Sequence, residues 1–153
     1  MINKPIKLFV VFSLILFSYN SNVYAAPGCN ISTVSGVNFN SYNVFAITEN
    51  DFGIGTIDID CGKEKKKYTV NLSTGQSNSF TNRYMNNGTD FLLYNLFTTS
   101  ARNVIWGDGS RGSQNVSGDD KSPSQLNIFG SIYPLQDVNI GYYSDFITVS
   151  INF

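Results

Sequence analysis

Residues 55–61, GTIDIDC, alternate between apolar and polar side chains. Ile57 and Ile59 fall on one face of an extended chain, and Asp58 and Asp60 fall on the other. A period of two residues with one polar face is typical of a half-buried antiparallel β-strand. The two aspartates are therefore interpreted as the wet face of that strand and not as a pair of catalytic carboxylates.

A second alternating stretch, residues 68–72 (YTVNL), follows after a charged segment, residues 62–67 (GKEKKK). Two such strands joined by this charged turn predict a β-hairpin with a longer loop over residues 55–72. The lysines in the loop are interpreted as a solvated hairpin tip. A nucleic-acid site is disfavoured because the whole chain carries a formal net charge of −1.

The rest of the chain continues in short strands separated by Gly, Asn, Ser and Asp, with no long amphipathic helix. Further strands are predicted at residues 37–42, 91–97, 126–132 and 146–153. Residues 91–97 are apolar on both faces, which indicates a central strand, and Gly130 is expected to mark a bulge or a close approach. Six strands compare with about seven in an immunoglobulin-type sandwich. The predicted class is an all-β, immunoglobulin-like antiparallel β-sandwich.

The first residues have the organisation of a secretory signal peptide. Lys4 and Lys7 precede an apolar run at residues 8–17, and a small residue, Ala25, ends the segment. The apolar run is too short to cross a bilayer, which needs roughly 20 residues. The sequence therefore predicts a signal peptide at residues 1–25 and one secreted domain at residues 26–153.

Two cysteines, Cys29 and Cys61, remain after removal of the leader, and the chain has no histidine. In an oxidising compartment an even pair is most simply a disulfide. A metal site would require histidine or more cysteine, and the commonest general acid–base is missing. The sequence predicts no catalytic residue, no metal and no cofactor, and therefore not an enzyme.

Other candidate sites favour structural roles. Trp106, in the segment WGDG at residues 106–109, is expected to be a buried tryptophan flanked by glycine turns. Asp119 and Asp120 do not match a calcium-binding loop. The sequence leaves open whether some aromatic side chains form an adhesive surface. The candidates are Phe80, Tyr84, Tyr142 and Tyr143.

Several short motifs occur in an order that resembles the spore coat protein U domain family, whose members include pilins of the archaic chaperone–usher pathway. They cover essentially the whole mature chain, from Cys29 to the last strand. The motifs are 37–42 (VNFNSY), 55–61 (GTIDIDC), 68–75 (YTVNLSTG), 83–85 (RYM), 93–97 (LYNLF), 106–109 (WGDG), 129–132 (FGSI) and 141–145 (GYYSD).

The resemblance implies an incomplete sandwich that lacks its final strand and exposes an apolar groove. It implies a periplasmic chaperone, an outer-membrane usher and other pilus subunits as partners, and a place on the cell surface in adhesion and biofilm formation. A strand added to the groove would gain main-chain hydrogen bonds and bury alternate side chains. The last strand would border the gap, and its one apolar face predicts the contact residues. These are Ile147, Val149, Ile151 and Phe153.

The sequence departs from fibre-forming relatives ahead of Cys29. Those relatives carry a donor segment on the order of a dozen residues there, whereas cleavage after Ala25 leaves three residues. The expectation is a subunit that receives a strand and cannot give one, as at a fibre tip. Two alternatives remain: a free secreted or envelope-associated structural protein that folds alone, and a carbohydrate-binding module suggested by sandwich analogy. Neither a nucleic acid nor a small-molecule substrate is expected.

Overall fold

The structure of the protein is a computed structural model that describes residues 28–62, 66–119 and 124–153. The predicted all-β class is confirmed, since the described residues form eight β-strands and one 3-10 turn, Gly75–Ser77. The strands are β1 (Asn30–Asn38), β2 (Asn50–Asp60), β3 (Tyr68–Leu72), β4 (Arg83–Asn86), β5 (Phe91–Phe97), β6 (Val116–Gly118), β7 (Ser124–Ile132) and β8 (Val149–Asn152).

Two antiparallel sheets form the sandwich. One has five strands in the order β1-β2-β7-β5-β4, and the other has three in the order β6-β3-β8. The predicted hairpin of residues 55–72 is wrong, because β2 pairs with β1 and β7 whereas β3 pairs with β6 and β8. Alternation identifies a strand and its buried face, but it does not identify the strand's partner. The chain instead crosses from one sheet to the other after Cys61.

Several strand boundaries differ from those predicted. The first strand begins at Asn30 and not at residue 37, and β4 and β6 were not predicted. The last strand is shorter than expected, although the backbone carbonyl of Thr148 still accepts a hydrogen bond from Ser73 N (2.9 Å). Short polar strands such as β6, VSG, carry too few residues for a period to be recognised.

The core lies between the two sheets. Ile57 and Ile59 of β2 face Val70 and Leu72 of β3, and all four are buried. Trp106 is fully buried, and its indole Nε1 donates to the carbonyl of Val70 (3.1 Å). The prediction of a structural tryptophan is therefore confirmed.

Gly130 is a point of close approach, as expected. A side-chain carbon placed there would lie 2.6 Å from the ring of Phe39, and one at Gly53 would lie 2.5 Å from the same ring. Phe39 also packs edge-on against Tyr94, with 5.7 Å between ring centroids. Two glycines on neighbouring strands thus make room for one aromatic ring over the sheet.

A buried arginine, Arg83, ties the core to the loops at one end. Its guanidinium donates to Asn95 Oδ1 (2.8 Å) and to the carbonyls of Ser73 (2.7 Å) and Trp106 (2.8 Å). Burial lowers the pKa of Arg83 from its ordinary value, but arginine remains charged at any physiological pH. The charge is tolerated because most of its donors are hydrogen-bonded.

Candidate functional site

On one side of the sandwich, the edge strands of the two sheets are not paired with each other. The edge strand of the five-stranded sheet is β1, and the edge strand of the three-stranded sheet is β8. A side-chain carbon on Gly28, just before β1, would collide with the ring of Phe153, just after β8. The beginning of β1 therefore lies beside the end of β8, so the two edge strands run in opposite directions.

A groove of about 370 Å³ lies between β1 and the segment that leads into β8. Its walls include Val34 and Val37 from β1, and Ile147 and Val149 from the C-terminal segment. The floor is formed by core side chains of both sheets. These are Leu72, Met85, Tyr94, Leu96 and Ile128. The lining is mostly apolar, so the groove is an unfilled part of the hydrophobic core.

On the groove side β1 is poorly covered. Seven of its nine residues are exposed, although the strand pairs with β2 along one edge. Its apolar residues Ile31, Val34 and Val37 are three apart, which is not a strand period. The pairing with β2 shifts register between Ile31 and Thr33 and again between Ser35 and Asn38. Each shift absorbs an extra residue, as a β-bulge does, and keeps the three side chains facing inward.

These bulges explain why the sequence did not predict the β1 wall of the groove. Alternation predicts a strand from a spacing of two residues, and a spacing of three does not satisfy it. A segment of nine residues with apolar positions every third residue, next to a cysteine, was the available signal. Val34 and Val37 are the groove residues that were missed.

Three of the four predicted contact residues lie together. Ile147, Val149 and Ile151 are half-buried and pack against the core, and Ile147 and Val149 line the groove. The polar residues between them, Thr148 and Ser150, are exposed. Phe153 differs from these three, because it lies beyond the end of β8 and is 69% exposed. Its ring packs against Gly28 and does not line the groove.

The C-terminal segment bridges to β4 at one end of the groove. Asn86 of β4 and Ser144 exchange backbone hydrogen bonds, each 3.0 Å long. Next to this bridge, Tyr94 donates its hydroxyl proton to Asp145 Oδ2 (2.8 Å), and burial raises the pKa of Tyr94 well above its ordinary value. Asp145 Oδ1 also accepts from Gln76 N (3.0 Å). The C-terminal segment is thus anchored at residues 144 and 145, which themselves contribute to the lining of the groove.

The predicted disulfide is present. Cys29 and Cys61 are bonded with an S–S distance of 2.00 Å, and both are buried. The bond joins the residue before β1 to the residue after β2. It therefore fixes one end of the β1 wall of the groove.

The aromatic candidates separate into different environments. Phe80 is buried, so the suggestion that it could form an adhesive surface is wrong; it packs between Arg83 and Arg111. Tyr142 is fully exposed, whereas Tyr84 and Tyr143 are half-buried. Charge and local polarity in the sequence do not reveal that Phe80 is covered by arginine side chains.

Within residues 28–62, 66–119 and 124–153, no three His, Cys, Asp or Glu side chains are grouped so that they could hold a metal ion. The same ranges contain no helix with the length and apolarity needed to cross a bilayer. The predicted signal peptide, Lys63, Lys65 and Asp120 lie outside the described residues.

The chain was compared with known proteins by sequence and by structure. No curated protein matches the chain by sequence. A solved structure that resembles it is a chaperone–tip adhesion subunit pre-assembly complex, CsuC-CsuE, from archaic chaperone–usher Csu pili of Acinetobacter baumannii. That match has 21% identity and a TM-score of 0.49, and it covers 84% of this chain and 40% of the other. The family model of the spore coat protein U domain matches residues 15–150. The chain belongs to the spore coat protein U domain family.

Proposed function

We propose that this protein is a secreted structural subunit of a bacterial surface fibre that accepts a donor β-strand in the groove between β1 and β8. The observation that carries the proposal is the apolar groove bordered by two edge strands, one from each sheet. Membership of the spore coat protein U domain family supports it.

An added strand would satisfy both the backbone and the side chains of this region. Edge strands present unpaired N–H and C=O groups, which natural proteins rarely leave open. A strand laid along the groove would hydrogen-bond to such an edge, and its alternate apolar side chains would fill the space above Leu72 and Ile128. Because β1 and β8 run in opposite directions, the added strand is parallel to one of them and antiparallel to the other.

The proposed donors act in sequence. In the periplasm a chaperone lends the strand, and in the fibre a neighbouring subunit replaces it, with export through an outer-membrane usher. This route requires the signal peptide at residues 1–25. It also places the mature domain, residues 26–153, on the cell surface, where adhesion and biofilm formation would be its roles.

The proposed position in the fibre is the tip. Cleavage after Ala25 leaves Ala26, Pro27 and Gly28 before Cys29, and three residues span at most about 10 Å. A subunit with so short a segment accepts a strand but does not donate one. The purified mature protein should therefore remain monomeric or chaperone-bound in light scattering, and fibres formed by this subunit alone would contradict the tip position.

Co-expression with a periplasmic chaperone of the chaperone–usher pathway tests the acceptor function. We expect a one-to-one complex in which the backbone amides of β1 and β8 exchange hydrogen more slowly than in the subunit alone. A protein that folds stably without a chaperone, with the same exchange rates in its presence, would reject the proposal. The free secreted structural protein would then be the correct function.

A further inference from the structure

A second pocket lies on the outer face of the three-stranded sheet. Its floor includes Asn71 of β3 and Ser150 of β8, which are directly paired across the two strands. Their neighbours Val70 and Leu72 are buried, so Asn71 and Ser150 point to the opposite face, away from the core. The pocket has a volume of about 280 Å³. It opens on the face of the three-stranded sheet that is opposite the groove, and Leu72 contributes to the lining of both.

A tightly held loop forms the wall of this pocket. Asp108 Oδ1 accepts hydrogen bonds from the backbone N (2.9 Å) and the hydroxyl (2.6 Å) of Ser110. Gly107 N donates to the carbonyl of Gln114 (2.7 Å) and closes the base of the loop. Arg111, in the left-handed region with φ of +49°, places its guanidinium 5.0 Å from the ring centroid of Phe80. The loop thus presents Asp108 and Arg111 to the pocket.

The polar groups of this pocket have unused hydrogen-bonding capacity. Asn71 Oδ1 is buried and has no hydrogen-bond partner among the described residues. The hydrogen bond from Arg111 Nη1 to the carbonyl of Asn78 is long, at 3.4 Å, and a guanidinium has five N–H donors. Asn71 Oδ1 is itself shielded from solvent, so the hydrogen-bonding capacity that a ligand can reach is that of the exposed side chains of Asp108 and Arg111.

We propose that this outer pocket binds a neutral polyhydroxylated ligand, one sugar ring in size. The guanidinium of Arg111 donates hydrogen bonds and the carboxylate of Asp108 accepts them, which matches neighbouring hydroxyl groups that each accept and donate. An anion would be repelled by Asp108 and a cation by Arg111. The volume is just under the roughly 300–1,000 Å³ of pockets for drug-sized ligands, so one ring fits and an oligosaccharide extends into solvent.

This site does not depend on strand acceptance. The free edge of β8 borders the groove, whereas the outer faces of Thr148 and Ser150 line the pocket. Both sites can therefore be occupied at once. A sugar-binding subunit whose groove is filled by a chaperone or a neighbour would keep its affinity.

Titration followed by NMR tests the inference on the isotope-labelled, folded protein with D-glucose, D-galactose, D-mannose and N-acetyl-D-glucosamine. We expect at least one sugar to shift the amide signals of Asn71, Ser150 and Arg111 at millimolar concentration. Arg111→Met keeps an unbranched stem against Phe80 but removes the donors, and Asp108→Asn keeps an oxygen that can accept from Ser110. Each should weaken binding about tenfold or more, because hydrogen bonds to charged groups are lost.

Gln125→Ala, in the five-stranded sheet, is the matched control and should leave the affinity unchanged. The proposal is overturned if none of the four sugars shifts these signals, or if Arg111→Met and Asp108→Asn bind as the unaltered protein does. A parallel titration with sodium acetate separates the two ligand classes. Saturable acetate binding that Asp108→Asn strengthens, with no response to sugars, would identify an anion site and reject the sugar site.

Discussion

Val34 lies directly opposite Ile57 across the β1–β2 pair, yet Val34 is 47% exposed whereas Ile57 is completely buried. Directly opposed residues of an antiparallel pair lie on the same face of the sheet. The difference in exposure arises because Ile57 is covered by the second sheet and Val34 faces the groove. Among the described residues, the β1 wall of the groove is therefore an apolar surface that is partly exposed to solvent.

Val34→Asp should prevent strand acceptance while the domain stays folded. Covering a valine is worth roughly 1.5–3 kcal/mol, which corresponds to about a tenfold to hundredfold loss of affinity when it is removed. An aspartate in its place would add the cost of burying a charge. The measurement is co-purification with the periplasmic chaperone, with far-ultraviolet circular dichroism to verify the fold.

Thr33→Lys is the matched control for this substitution. Thr33 is exposed and lies opposite Asp58, so a lysine there gains an opposite charge across the strand pair. It should co-purify with the chaperone as the unaltered protein does. If both variants lose co-purification equally, β1 tolerates no charge on either face. The result would then not support the groove as the site that accepts a strand.

The C-terminal wall gives a second prediction. Val149→Asp and Ile151→Asp should abolish chaperone pairing, because both side chains are half-buried against the core beside the edge that would receive the strand. Thr148→Lys should matter much less, since Thr148 is exposed on the opposite face. The test is again co-purification from the periplasm. If Thr148→Lys fails and Ile151→Asp succeeds, the assumed orientation of β8 is wrong.

Loss of the disulfide should destabilise the fold. Cys61→Ser removes the bond between the ends of β1 and β2, a closed loop of sequence separation 32. The expected loss is roughly 2–5 kcal/mol in the free energy of unfolding, with a lower periplasmic yield. Denaturant titration measures it, and thiol labelling of the denatured, unreduced protein should detect no free thiol. Two labelled cysteines in the exported protein would contradict the bond.

Alternation of apolar and polar residues predicted the positions of individual strands. Residues 68–72 and 91–97 coincide with β3 and β5. Strand partners could not be predicted in this way, because β2 and β3 are neighbours in sequence but belong to opposite sheets. Which sheet a strand joins is decided by contacts between distant residues, and a short period carries no information about them.

The candidate site was predicted on one side only. Alternation in the last strand placed Ile147, Val149 and Ile151 together, and the structure places them against the core. The β1 wall of the groove was not predicted, because two bulges change the spacing of Val34 and Val37. The buried Arg83 was also missed as a core residue, since a charged side chain gives no sign in sequence that several acceptors will surround it.

The loop of residues 137–143 should loosen in acid. Asp90 Oδ2 accepts hydrogen bonds from Asn139 Nδ2 (2.8 Å) and Asn139 N (3.1 Å), and a longer one from Tyr143 (3.4 Å). The bonds from Asn139 hold the pKa of Asp90 below its ordinary value of 3.8. Burial raises the pKa of the Tyr143 phenol, so this hydroxyl remains a donor at neutral pH.

Because its pKa is depressed on folding, Asp90 contributes its full stabilisation above pH 3.8 and loses it as the pH falls from 3.8 through the folded pKa. We therefore expect the amide signals of Asn139 and Tyr143 to move together on acidification below pH 3.8, while signals of β3 stay in place. Asp90→Asn should remove this transition and loosen the loop at neutral pH. Asp137→Asn, in the same loop, should retain the transition. A transition that persists unchanged in Asp90→Asn would show that another group anchors the loop.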